Sequence, residues 1–139
     1  MLDKIRQKLI SKINFTITEQ RINEIMETIK SKVDENKIIN FFISYTNENY
    51  GAWSDTPIQI DIITTKFLIE LKVGSDALRY DYTPLSDLGT PIVERKPTNV
   101  KVTFVMKIPN LTTVISTNKN EEFLDLLNFV ESYVTLAIR

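Results

Sequence analysis

The sequence predicts an α+β fold: two N-terminal helices, about seven short antiparallel strands curled into a barrel, and one C-terminal helix. Three observations predict it. Apolar residues recur at helical spacing through residue 33, the period changes to two after Lys37, and helical spacing returns after Asn118.

The first helix rests on Leu2, Ile5, Leu9, Ile10 and Ile13, with Lys4, Arg6, Lys8 and Lys12 between them. Asn14–Thr18 interrupts the pattern, and Thr18 followed by Glu19 suits a helix N-terminus. Ile22, Ile25, Met26, Ile29 and Val33 then form a one-sided stripe that ends near Asp34–Lys37.

In IINFFISY (38–45) the two-residue period places Ile39, Phe41, Ile43 and Tyr45 on one face. The segment 47–57 gathers Asn, Gly, Ser, Asp and Pro and reads as a long loop. Strands follow at Pro57–Ile63, Lys66–Val73 and Ala77–Tyr82. A two-residue turn at Gly74-Ser75 sets Leu71 opposite Leu78, Ile69 opposite Tyr80 and Phe67 opposite Tyr82. A similar turn at Thr64-Thr65 sets Ile62 against Phe67 and Ile60 against Ile69, although Thr-Thr is poor turn chemistry and favours a longer loop. Both turns give the same apolar face, and a one-residue slip in either would destroy that agreement. The opposite face carries Asp61, Glu70, Lys72, Arg79 and Asp81, read as solvated cross-strand ion pairs with Glu70 facing Arg79.

PLSDLGTP (84–91) is turn-rich, and Ile92–Lys96 is a short strand. Val100–Ile108 alternates clearly, and Leu111–Thr117 is the last strand. Asn118 and Glu121 have capping-box spacing before a helix whose buried stripe is Phe123, Leu126, Leu127, Val130, Tyr133, Val134 and Ile138. Leu124, Phe129 and Leu136 lie off that stripe, so a second surface is expected to cover them, either the N-terminal helices or another chain.

Composition removes several kinds of chemistry. The 139 residues include no Cys and no His, which excludes disulfides, Cys/His zinc sites and His-dependent nucleophile systems. Three glycines make no phosphate-cradling loop, and no nucleophile motif is present. With 17 Lys+Arg against 18 Asp+Glu and no basic block, nucleic acid is not an expected partner. No apolar run reaches the length of a spanning helix and the first residues lack a signal-peptide core, so a cytoplasmic protein is expected.

Three segments carry a family resemblance: Ile63-Thr64-Thr65-Lys66-Phe67-Leu68-Ile69, Tyr82-Thr83-Pro84-Leu85-Ser86-Asp87-Leu88, and EEFLDLLNFVESYV (121–134). With the element order from residue 38 onward, they resemble the bacterial pleckstrin-homology-like (PH-like) families. The resemblance implies a seven-stranded barrel plugged by its C-terminal helix over residues 38–139, with the helical pair 1–37 added to make one compact domain. It also implies binding or scaffolding rather than catalysis. The first long loop holds Glu48 and Asp55 and no Lys or Arg, which departs from the basic loop of phosphoinositide-binding members.

The expected function is therefore a non-catalytic protein-interaction module, self-associating or bound to another protein, with no cofactor, no metal and no small-molecule substrate. Candidate contact residues are Tyr50 and Trp53 in the loop and Leu124, Phe129 and Leu136 on the last helix. The alternative is peripheral membrane binding through Lys4, Arg6, Lys8 and Lys12 on the first helix.

Overall fold

The computed structural model describes residues 1–12, 19–45, 58–74, 77–106, 112–117 and 120–137. Its helices are α1 (Leu2–Lys12), α2 (Glu19–Lys32) and α3 (Asn120–Ala137). Its strands are β1 (Ile38–Tyr45), β2 (Ile58–Thr64), β3 (Phe67–Val73), β4 (Leu78–Pro84), β5 (Leu88–Lys96), β6 (Asn99–Met106) and β7 (Thr112–Thr117). They form two antiparallel sheets, ordered β1-β2-β3-β4 and β5-β6-β7. The predicted closed barrel is therefore only partly realised. After Pro84 a turn of 3₁₀ helix, Leu85–Asp87, carries the chain from one sheet to the other, and among the described residues β4 and β5 do not pair.

Both predicted turns have the right parity and the wrong length. Ile63 pairs with Leu68 and Val73 with Leu78, so each register moves by two residues from the two-residue reading. Thr64 explains the first. Its hydroxyl accepts from Lys66 N–H at 3.3 Å and Phe67 N–H at 3.0 Å, holding a wider loop. Because the shift is even, the faces are those the pattern gave: Ile58, Ile60 and Ile62 still share a side with Ile69, Leu71 and Val73. Glu70, however, faces Asp81, and Arg79 faces Lys72.

The larger difference is that the middle of the four-stranded sheet, β2 and most of β3, is buried on both sides. Its apolar face packs under α1 and α2, where Ile5, Leu9, Ile22, Ile25 and Ile29 meet Ile43, Ile60, Ile62, Ile69 and Leu71. Arg21 ties α2 to the β3–β4 hairpin by donating to Gly74 O at 2.7 Å and Ala77 O at 3.0 Å. The opposite face turns inward to β5–β7 and α3, through Phe42, Ile63, Leu68, Val100, Val102, Phe104, Leu126 and Phe129. Every residue of β2 is buried. Of the predicted solvated ion-pair face, Asp61 and Glu70 are thus interior, because the second sheet and α3 cover them, whereas the side chains of Arg79 and Asp81 on β4 stay exposed.

On α3 the buried arc is centred on Leu126, with Phe123 on one flank and Phe129 on the other. Phe129 is fully buried, its ring 6.4 Å from that of Phe42, so it is a core residue and not a contact surface. The expected stripe was rotated toward Leu127 and Val134, which are only partly buried. Tyr133 fixes the helix along its axis, donating from its hydroxyl to Gly89 O at 2.8 Å and Leu88 O at 3.2 Å. Those carbonyls lie at a register shift in β5, between Leu88 and Pro91.

Candidate functional site

Strand β5 borders its sheet, and its residues from Ile92 to Lys96 are exposed. Val93 aligns with buried Val102 and Arg95 with buried Val100, so both side chains belong to the inward side of the sheet. No further strand covers that side at the edge among the described residues, and Val93 is left 41% exposed. The first turns of α3 run alongside. Between them lies a groove of about 360 Å³, lined by Arg95, Lys96, Pro97, Phe123, Leu124 and Leu127. The Arg95 guanidinium stands over the Phe123 ring at 6.0 Å, which orients the cation without neutralising it. Leu124, 67% exposed, forms the outer wall. The described lining carries two cations, four apolar side chains, Asn120 and no carboxylate, a surface matched to an apolar segment bearing negative charge.

The other expected contact residues are dispersed. Leu136 lines a second groove of about 540 Å³ with Ile39, Asn40, Asn128 and Ser132, where Asn40 donates to Ser132 Oγ at 3.1 Å. Tyr50 and Trp53 lie outside the described residues. The membrane reading of α1 is corrected by packing: Ile5 and Leu9 are fully buried against the sheet, so the apolar side such binding needs is already occupied. Arg6 donates to Asn23 Oδ1 at 2.8 Å and Lys8 lies 3.7 Å from Asp125 of α3, while Lys4 is exposed and Lys12 ends the helix.

A polar cluster sits inside the sandwich. Gln59 Nε2 donates to Asp61 Oδ2 at 2.9 Å and Glu70 Oε2 at 3.0 Å. Asp61 is fully buried and Glu70 is 5% exposed. Burial first, and the neighbouring Glu70 carboxylate second, push the Asp61 carboxyl well above its ordinary range. Asp61 Oδ1 has no hydrogen-bond partner among the described residues. Two carboxyls bridged by one Gln59 amide have the chemistry of an acid–base pair, but a catalytic pair must reach a substrate, and this one is sealed between two sheets. Among the described residues no group of acids is arranged to hold a metal ion.

Sequence reasoning singled out Leu124 but missed Arg95, Lys96 and Phe123. The signal was the exposed apolar character of Ile92 and Val93 beside two cations, which mark an edge strand open to a partner.

No protein-family model matches the chain, and no curated protein matches it in sequence. In structure it is similar to a DUF1696 family protein with a pleckstrin-homology domain from Shewanella loihica PV-4. The TM-score is 0.53 and the identity 12%, over 80% of this chain and 94% of the other. This chain has a PH-like fold, with two N-terminal helices packed on the outer face of its first sheet.

Proposed function

We propose that the chain is a non-catalytic protein-interaction module that holds an extended segment of a partner along the free edge of β5, in the groove against α3. The observation that carries this reading is a β5 edge unpaired among the described residues, beside a groove with apolar walls and two cations. An edge strand offers a row of main-chain donors and acceptors, which supply affinity to any extended peptide. The groove supplies selectivity: Phe123, Leu124 and Leu127 accept an apolar side chain, and Arg95 and Lys96 accept a neighbouring carboxylate.

The test is selection of peptides from a displayed random library on the full chain, followed by titration of the enriched sequences. Enriched peptides are expected to carry an acidic residue within a few positions of a large apolar one. Arg95→Glu and Leu124→Asp should each weaken binding about tenfold or more. Enriched peptides whose affinity ignores both substitutions, or no enrichment, overturn the reading.

A further inference from the structure

Strand β4 is the outermost strand of the four-stranded sheet, and among the described residues nothing pairs with its far edge. Two bonds fix the phase of that edge. Gly74 N–H donates to Ala77 O at 2.9 Å, and Leu85 N–H donates to Lys66 O at 2.8 Å, one at each end of the β3–β4 hairpin. Counting inward from either end makes Lys72–Arg79, Glu70–Asp81 and Leu68–Thr83 the narrow, hydrogen-bonded pairs. The main-chain groups of Leu78, Tyr80 and Tyr82 therefore point away from β3. A strand added antiparallel to this edge must match that phase.

A second copy of β4 matches it. With a two-fold axis at Tyr80, Tyr80 lies opposite the second copy's Tyr80, and Leu78 lies opposite the second copy's Tyr82. All three facing pairs are then hydrogen-bonded ones. The same register sets Arg79 against the second copy's Asp81, and Asp81 against the second copy's Arg79, at the wide pairs where side chains approach most closely. Shifting by two residues either way places Arg79 against Arg79 or Asp81 against Asp81. A shift by one loses the hydrogen-bond phase. The charge pattern therefore selects a single register, and that register is self-complementary, as a two-fold interface requires.

The side chains are available for the exchange. Arg79 Nε and Asp81 Oδ2 now lie 3.3 Å apart within one chain, with the two side chains 59% and 42% exposed. On the other face Tyr80 and Tyr82 are 37% and 42% exposed, packed edge to face at 6.0 Å, and present aromatic surface at the axis. We infer that the chain forms a two-fold homodimer through antiparallel pairing of β4 with β4 of a second copy, joining two four-stranded sheets into one continuous sheet. This surface is distinct from the β5–α3 groove, and the inference stands whether or not that groove binds peptides.

Sedimentation of the full chain at concentrations rising to about 1 mM tests it, since even millimolar affinities are visible there. The wild-type chain is expected to reach twice its monomer mass. Arg79→Asp and Asp81→Arg, made singly, put like charges opposite each other and should each weaken the dimer about tenfold or more. The double exchange R79D/D81R restores opposite charges in the same register and should restore the dimer. Tyr80→Pro removes an N–H that no described residue uses within the chain, and should give a monomer with an unchanged circular dichroism spectrum. A chain that stays monomeric throughout, a dimer indifferent to the single changes, or a folded double exchange that remains monomeric overturns the inference.

Discussion

Replacing Asp61 with Asn removes a titrating group while keeping its size and its partner. The Asn carbonyl can still accept from Gln59, whose Nε2 stands 2.9 Å from Asp61 Oδ2, and the neutral Asn amide puts no second negative charge beside Glu70. In the folded wild-type chain the buried carboxyl holds its proton above the ordinary value of 3.8, so the folded state binds a proton that the unfolded chain releases. The contribution of Asp61 to stability is therefore complete below pH 3.8 and is lost as pH rises toward the folded value. Within that window one proton changes stability by about 1.4 kcal/mol per pH unit. At about 4 °C per kcal/mol for a chain of this size, the melting temperature should fall by roughly 5 °C per pH unit. The Asn variant should lack that slope, so its advantage over wild type should grow with pH. Thermal melts followed by circular dichroism from pH 4.5 to 8 read this directly. Parallel slopes, a wild-type melting temperature that rises with pH, or an Asn variant less stable at pH 7 would refute the argument.

Other expectations are simpler. Phe129→Ala should cost about 3–5 kcal/mol in chemical denaturation because it empties a fully buried site, whereas Leu124→Ala at the groove rim should stay within about 0.5 kcal/mol. A Cβ on Gly89 would meet Val105 O at 2.8 Å, so Gly89→Ala must displace backbone in β5 and should cost about 1–3 kcal/mol by the same assay. Glu35 is held below the ordinary carboxylate range by the Leu2 N–H and the N-terminal ammonium. Its contribution is present above the ordinary value and is lost as pH falls through the folded one. Glu35→Gln should therefore flatten the acid limb of a pH–stability curve, and an unchanged limb would count against that pairing.

The sequence carried the element order, the parity of the first sheet and the closing helix, because each is written in local periodicity. Ile60, Ile62, Ile69 and Leu71 share a face in any even register, so two wrong turn lengths left that face intact. What periodicity does not encode is which side of a sheet meets water. Asp61 and Glu70 looked like solvent-facing residues because charge usually marks the outside, yet residues remote in sequence enclose them. Phe129 failed for a related reason. On a helix apolar around much of its circumference, composition cannot choose the buried arc, and contact with Phe42 from β1 decides it. The groove at Arg95 and Phe123 was hidden because it joins a strand to a helix more than twenty residues away, and no single segment shows both walls.

Strand β2 belongs to two hydrophobic interiors at once, its even residues facing the helical pair and its odd residues facing the second sheet. A party wall of this kind leaves neither room able to come apart alone. Lifting α1 and α2 bares a face of isoleucines, and loosening α3 deprives Ile63 of its cover on the other side. Calorimetry should accordingly record a single heat-absorption peak for the chain, without a separate low-temperature shoulder from the helical layer.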